Sequence, residues 1–249
     1  MTETPRGCVF CGGTPLTNQH LWPDWARRQI ADIDTHAHRQ ILEVEGREDV
    51  TRVWNDRAYR MTVNAVCGTC NNGWMSGLET DAAEFLRPMI EGRGRALHQG
   101  GQTKLASWAF LTALMFSYTG GRDQGLVVQS QVDEFYARRV PPENTRIWMT
   151  AFAGDYIGAM QCFGADTDTT QDTARGHRDI YGVAFTFEKT AFNIVGTTRS
   201  GLLDGSEFAN PRIRQIWPFA SSFEWTPKPA LDDAGFHSFA DAFLRQLPR

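Results

Sequence analysis

Four of the five cysteines in this 249-residue chain stand in two pairs, each with two residues between the thiols. The pairs are Cys8 with Cys11 and Cys67 with Cys70; two glycines follow the first pair and two asparagines follow the second. Four thiolates at this spacing, each pair followed by turn-forming residues, are typical of a tetrahedral structural Zn²⁺ site. The alternatives are two redox pairs or a disulfide framework. The doubled spacing and the reducing cytoplasm that we expect argue against both.

The fifth cysteine, Cys162, lies in the apolar run IGAMQCFGA, which predicts a buried and unreactive thiol. A long stretch of chain separates the two paired sets of cysteines, so a shared zinc ion closes a large loop. The free energy of metal binding then contributes directly to the free energy of folding. We therefore expect chelation to unfold this part of the chain.

A polar motif, NQHLWPDW, lies between the cysteine pairs and contains His20. Pro23 predicts the end of a strand, and residues 24–33 predict a short helix. Alternating apolar and charged residues predict two strands around a turn at residues 45–49, and a third strand at residues 57–66.

The stretch NNGWMSGLETDAAEFLRPMI after Cys70 places its apolar residues on one helical face. It therefore predicts a helix that begins at Asn71 or Asn72, either of which can cap it.

The order of these motifs resembles the HNH nucleases of the ββα-metal (His-Me finger) group. In both, a C-x-x-C pair is followed by a His before x-x-Pro, and then by C-x-x-C-N at the start of a helix. QHLWPDW and CGTCNNGWMSGLE are similar to the E-H-x-x-P-x-W and C-x-x-C-N-x-G-W-M-x-x-L-E motifs of bacterial and phage zinc-containing HNH-type proteins. The resemblance covers residues 8–86. It implies a zinc-bound ββα-metal (HNH-like) nuclease domain over residues 1–92.

The resemblance also implies an activity and the residues that carry it. His20 would be the general base that activates water for hydrolysis of DNA phosphodiester bonds. Gln19 and Asn71 would hold a single Mg²⁺ or Mn²⁺, which stabilises the transition-state charge. Asn64, or alternatively Asn55, would orient the His20 ring. Gln19 stands where these proteins usually have a carboxylate, so metal affinity should be lower, and Asn64 lies closer to the cysteine pair than usual.

Each of these residues also has a structural interpretation. His20 could be a packed or capping histidine, and Asn71 only a helix cap. Glu79 falls on roughly the same helical face as Asn71, where it could support the site or pair with an arginine. Trp25 and Trp74 are expected in the core between the strands and the helix.

The net charge of −4 excludes a strongly basic nucleic-acid binder. DNA binding would need a local patch and would be modest and salt-sensitive. The candidates for that patch are Arg27, Arg28, Arg57, Arg60, Arg87, Arg93 and Arg95. Interspersed acidic residues make a mixed, solvated surface the alternative.

Residues 93–249 predict an α+β domain with an antiparallel sheet of four or five strands and helices on one face. Its helices are expected at residues 104–119, 130–139 and 238–247, and its strands at 146–152, 156–163, 180–187, 191–198 and 214–219. No long uncharged apolar run suggests a membrane span, and a polar N-terminus favours the cytoplasm.

Three functions follow from these patterns. The first is a metal-dependent endonuclease in restriction, phage defence or phage DNA processing. The second is a catalytically inactive zinc-binding adaptor on the same scaffold. The third is a protein whose second half binds a small ligand or nucleotide.

Overall fold

The structure is a computed structural model that describes residues 7–29, 35–44, 50–57, 60–119, 125–156, 158–165 and 179–243. Only the backbone is described at residues 27–29, 35–44, 50–57 and 165. The predicted turn at residues 45–49 and the predicted helical residues 30–33 and 244–247 lie outside the described residues.

The first part of the chain carries two pairs of strands and a long helical segment. It contains β1 (Leu16–His20), α1 (Asp24–Gln29), β2 (Thr35–Val44), β3 (Val50–Arg57), β4 (Thr62–Cys67), α2 (Gly68–Cys70), a π-helical turn (Asn71–Met75) and α3 (Ser76–Ile90). The strand predicted at residues 57–66 is shorter in the structure than expected, because β4 begins only at Thr62.

The second part of the chain contains five strands of the largest sheet and the helices that pack on it. It contains β5 (Arg95–Leu97), α4 (Gln99–Ser117), α5 (Gln129–Arg138), β6 (Thr145–Ala151), β7 (Met160–Ala165), β8 (Ile180–Phe187), β9 (Thr190–Thr197), β10 (Arg214–Trp217), β11 (Phe223–Trp225) and α6 (Asp233–Ala240). The final helix begins earlier than predicted, because Asp232 caps it by accepting a hydrogen bond from the Gly235 N–H.

The largest sheet has seven strands in the order β10-β6-β9-β8-β7-β2-β3. The pairs are antiparallel except for β2 and β7, which run parallel with Leu42 opposite Cys162. Residues 93–249 contribute five strands to this sheet, in agreement with the prediction of four or five, and the β2–β3 pair, which was not expected there, extends it to seven.

Helices cover both faces of this sheet, so the prediction of helices on one face was wrong. On β8, Val183 and Phe185 share a hydrophobic cluster with α4. The neighbouring Ala184 belongs to a second cluster, with Phe236 and Phe239 of α6. Every residue of β8 and β9 is buried. A strand buried on both faces has to be covered on both faces.

The hydrophobic core continues across residue 92. Trp22, just after β1, is fully buried, and its ring centroid lies 5.1 Å from that of Phe116 and 5.2 Å from that of Phe187. The predicted division into residues 1–92 and 93–249 stays a prediction, but the two parts share one core.

The helix α4 is buried on nearly every side, as its apolar sequence predicts. Neither α4 nor any other helix in the described ranges combines the length and apolar character that crossing a membrane requires.

Candidate functional site

The four paired cysteines meet in one cluster, in which all sulfur atoms lie within 4.8 Å of one another. The sulfur of Cys11 is 3.5 Å from that of Cys67 and 3.6 Å from that of Cys70. Zn–S bonds of about 2.3 Å in a tetrahedron place the sulfurs about 3.8 Å apart. The cluster, whose cysteines are all free thiols, is therefore compatible with structural zinc.

The first cysteine pair is held by a tight turn that the glycines make possible. The Cys8 N–H donates to the Gly13 carbonyl at 2.8 Å, and the Gly12 N–H donates to the Cys8 carbonyl at 2.9 Å. Gly12 has φ +71°, a conformation that few other residues adopt. The Gly13 N–H points to the Cys11 sulfur at 3.4 Å, where it can stabilise a thiolate.

The second pair spans the end of β4 and the start of the helical segment. A hydrogen bond from the Cys70 backbone N–H lowers the pKa of the Cys67 thiol to about 7. Burial raises the pKa of Cys70 to about 12. A bound cation would favour the thiolate form of both residues.

The helix α5, from the second part of the chain, packs over the first cysteine pair. Gln129 donates a 3.0 Å hydrogen bond to the carbonyl of Val9, which lies between Cys8 and Cys11. The ring of Phe10 stacks on Tyr136 with 5.8 Å between centroids. Residues from the second part of the chain therefore contact the segment that carries the first cysteine pair.

A polar site adjoins the cysteine cluster, along the side of β1 that faces the helix. Thr17 accepts a 3.2 Å hydrogen bond from the side-chain amide of Asn71. Two residues further along β1, the side-chain amide of Gln19 donates to Glu79 at 3.4 Å and to the His20 carbonyl at 2.6 Å. Gln19 thus faces the helical segment that carries Asn71, but the two side chains contact different residues.

Gln19 is the most buried residue of this site, with 5 % of its surface exposed. Its side-chain oxygen is buried and has no hydrogen-bond partner among the described residues. A buried oxygen without a donor costs about 1–3 kcal/mol.

His20 lies at the end of β1, directly opposite Thr62 of β4, and is partly buried. Asn64, which we expected to orient its ring, is exposed and donates a 3.4 Å hydrogen bond to Asn18. Asn55 lies in β3, opposite Ala37, and its side chain is outside the described part. The orienting role of either asparagine stays a prediction.

Glu79 is the residue that the sequence analysis undervalued. Burial raises its pKa to about 7, the hydrogen bond from Gln19 lowers it, and the negative charge of Asp24 raises it. Asp24 is exposed at the start of α1, four residues after His20. The sequence signal for Glu79 was its helical spacing from Asn71. Nothing in the sequence indicates that the charge of Asp24 acts on Glu79.

Comparison of the chain with protein-family models, curated proteins and solved structures gave no match. The resemblance to HNH nucleases consequently depends on the two motifs alone.

The described arginines of the expected phosphate patch lie on a surface of mixed charge. Their partners are as follows: Arg93 pairs with Glu91, Arg95 pairs with Glu84 at 2.9 Å, and Arg87 lies 4.8 Å over the ring of Trp25. The side chains of Arg27, Arg28 and Arg57 are outside the described part. Arg60 is exposed, two residues before Thr62.

Proposed function

We propose that this chain is an HNH-type metal-dependent endonuclease that hydrolyses DNA phosphodiester bonds, with structural zinc stabilising its nuclease unit. The observation that supports this most strongly is the path of the chain around the cysteine cluster. The antiparallel pair β1–β4 leads through Cys67 and Cys70 directly into the helical segment. This ββα unit carries Gln19, His20 and Asn71, to which the resemblance assigns the catalytic chemistry.

His20 is the proposed general base. Its position at the end of β1 leaves it partly exposed, so a water molecule and a phosphate can approach it. A neutral imidazole can take a proton from an attacking water molecule. The attack of that water on phosphorus is the step for which His20 is proposed.

The proposed activity also needs a hard divalent cation. When bound, Mg²⁺ or Mn²⁺ supplies positive charge that stabilises the phosphate oxygens and the leaving oxygen. The buried side-chain oxygen of Gln19 fits such an ion, because it is a neutral hard donor without a described partner. Asn71, on the same side of β1, is the second ligand that the motifs suggest.

Contact with DNA is proposed to be weak and salt-dependent, because the chain carries a net charge of −4. Arg60 is the described cation best placed for a phosphate, as it precedes the strand end at which Thr62 pairs with His20. Contacts of this kind position the backbone of the DNA and carry no sequence readout.

The test is nicking of supercoiled plasmid in Mg²⁺ or Mn²⁺ by the zinc-loaded protein and by His20→Ala. Loss of a general base should reduce the rate by about 100-fold or more. The matched control is His98→Ala, since His98 is exposed and contacts Ser222, well away from the hairpin in the chain. A wild-type protein inert on double-stranded DNA, single-stranded DNA and RNA would exclude the nuclease.

An inactive zinc-binding adaptor is the second candidate. The observation that favours it is Gln19 itself, because an amide provides no charge for a metal ion where a carboxylate is expected. This candidate predicts about one zinc per chain, as the nuclease does, but no cleavage under any metal condition.

A small-ligand function for the second part has one feature in its support. A cleft of about 440 Å³ lies against the turn at Glu188 and Lys189, and is also lined by Glu91, Asp155 and Lys228. The lining mixes these charged side chains with apolar ones such as Phe152 and Pro227, whereas small-molecule sites usually have few charged groups. The cleft is therefore weaker support than the ββα unit.

A further inference from the structure

We propose that the cleft beside the β8–β9 turn binds a small phosphate ester, with the ammonium groups of Lys189 and Lys228 holding the phosphate. The cleft has a volume of about 440 Å³, which is enough for a small molecule. Its described lining residues do not include Gln19, His20 or Asn71, so this proposal and the nuclease proposal are tested separately.

The first observation is the type of cation in the cleft. The chain has 25 lysines and arginines, and the only lysines among them are Lys104, Lys189 and Lys228. Lys189 and Lys228 both line this cleft, and no described arginine does. A lysine ammonium is a compact charge with three rotatable donors, which suits the oxygens of a phosphate group. The cleft therefore differs in its cations from the arginine-rich remainder of the chain.

The second observation is that both ammonium groups are available to a ligand. Within the described ranges, neither Lys189 nor Lys228 forms an ion pair. Lys104, in contrast, lies 3.7 Å from the carboxylate of Asp81 in α3. Two unpaired ammonium charges match the charge of about −1.5 to −2 that a phosphate monoester carries near neutral pH.

The ammonium of Lys189 lies over Gly92, which follows the end of α3. Gly92 has φ +78°, and a Cβ added to it would lie 3.0 Å from the Lys189 Nζ. Glycine therefore allows the left-handed turn and also leaves room for the lysine. The Lys189 carbonyl accepts a 2.9 Å hydrogen bond from the Phe152 N–H, which anchors the β8–β9 turn to the end of β6. The side chain thus runs along the cleft from a fixed base.

Another wall of the cleft is the closely packed loop after β6. The carboxylate of Asp233 in α6 accepts hydrogen bonds from the N–H groups of Asp155 and Tyr156, at 3.3 and 3.2 Å. A Cβ at Gly154 would collide with the same carboxylate, so glycine is required there. The Tyr156 hydroxyl lies 3.0 Å from the Nε2 atom of His237, also in α6. These contacts hold the wall in shape before any ligand binds, which lowers the cost of binding.

Three acidic residues also line the cleft, and they favour some anions over others. They are Glu91, Asp155 and Glu188. Glu91 pairs with Arg93, so its charge is balanced within the protein. Carboxylates repel a bare anion but accept hydrogen bonds from hydroxyl groups. We therefore expect a phosphate ester that carries hydroxyl groups to bind more tightly than inorganic phosphate.

The test measures how fast each lysine of the full, zinc-loaded chain is acetylated, since mass spectrometry can follow so few lysines separately. The probe is glycerol 3-phosphate, and the controls are glycerol and sodium chloride at matched ionic strength. Because bound phosphate covers an ammonium group and favours its unreactive charged form, the probe should slow acetylation of Lys189 and Lys228 by about fivefold or more. Lys104 should react at an unchanged rate.

Thermal unfolding gives a second, independent measurement. A ligand that binds only the folded state raises the unfolding temperature, so glycerol 3-phosphate should stabilise wild type. Lys228→Gln should lose this shift, while the matched control Lys104→Gln should keep it. Lys228 is exposed and Lys104 is partly exposed, so neither replacement should disturb the fold.

Three results would overturn the proposal. The first is acetylation of Lys189 and Lys228 at unchanged rates in the presence of both glycerol 3-phosphate and inorganic phosphate. The second is equal protection of all three lysines, which would indicate a general effect of the anion. The third is a thermal shift that persists in Lys228→Gln. None of these results depends on plasmid nicking, so each leaves the nuclease proposal as it stands.

Discussion

The guanidinium carbon of Arg139 lies 4.1 Å from the centre of the Trp74 ring. Trp74 belongs to the π-helical turn that follows Cys70. Arg139 ends α5 and also lies 4.3 Å from the ring of Tyr136. Arg139, from the second part of the chain, therefore stacks on a side chain that closely follows the last cysteine of the cluster.

Replacement of Arg139 should separate two opposing effects. Arg139 has φ +60°, which is costly for most residues and easy for glycine. Arg139→Ala loses the stacking and keeps the unfavourable backbone, so we expect a loss of about 1–2 kcal/mol in unfolding free energy. Arg139→Gly loses the same stacking but relieves the backbone, so it should be more stable than Arg139→Ala by about 1 kcal/mol.

Urea unfolding of the zinc-loaded variants measures this difference. Arg138→Ala is the matched control, because Arg138 pairs with Glu134 on the exposed side of the same helix. Equal destabilisation by the alanine and glycine variants would contradict the assignment of backbone strain at residue 139.

Removal of zinc should destabilise both parts of the chain together. Gln129 and Tyr136 of α5 contact Val9 and Phe10 between the first two cysteines. Loss of the metal should therefore release α5 as well as the hairpin. We expect about one zinc per chain and, after chelation, a single thermal transition at lower temperature. A second transition unchanged by chelation would show that residues 93–249 fold independently.

The stability of the protein should depend on the protonation of Glu79. Its pKa is raised to about 7 from the ordinary value of 4.5, so the folded state favours the protonated form. This contribution to stability is fully present below pH 4.5 and is lost as the pH rises through 7. Glu79→Gln stays neutral, so without added divalent ions it should be more stable than wild type at pH 8, by about 1–3 kcal/mol.

The measurement is urea unfolding at pH 5 and pH 8, with Glu84→Gln as the control. The advantage of Glu79→Gln should shrink at pH 5, where wild-type Glu79 is largely protonated. An advantage that is equal at both pH values would mean that the carboxylate is not buried as described.

The Cys162 thiol should be the slowest of the five to react. Burial raises its pKa to about 12, so almost no thiolate exists at pH 8. Cys11, by contrast, is exposed and should react first once zinc is removed. Reaction with a chromogenic disulfide reagent, before and after chelation, gives the order. Cys162→Ala should remove only the last phase, and loss of an early phase instead would contradict this order.

Local patterns predicted much of the fold. The uninterrupted apolar runs of β8 and β9, with Glu188 and Lys189 between them, gave the correct antiparallel pair. The cysteine spacing likewise predicted the Cys8–Cys11–Cys67–Cys70 cluster, because metal ligands constrain sequence spacing directly.

The parallel pairing of β2 with β7 could not be predicted in this way. It joins Leu42 to Cys162, and nothing in either strand specifies a partner so distant in sequence. The contact between Gln19 and Glu79 could not be predicted from the sequence either. In the sequence, Gln19 is a neutral residue where a carboxylate is usual, and Glu79 could equally pair with an arginine on the surface. Only the packing of β1 on the helical segment brings the two side chains together.

That parallel pairing also determines when the protein can fold during synthesis. The edge of β2 stays open until β7 leaves the ribosome, long after both cysteine pairs are available to bind zinc. An exposed strand edge on a nascent chain invites association with other chains. A lower expression level, which reduces encounters between nascent chains, should therefore improve the yield of this protein even when zinc is plentiful.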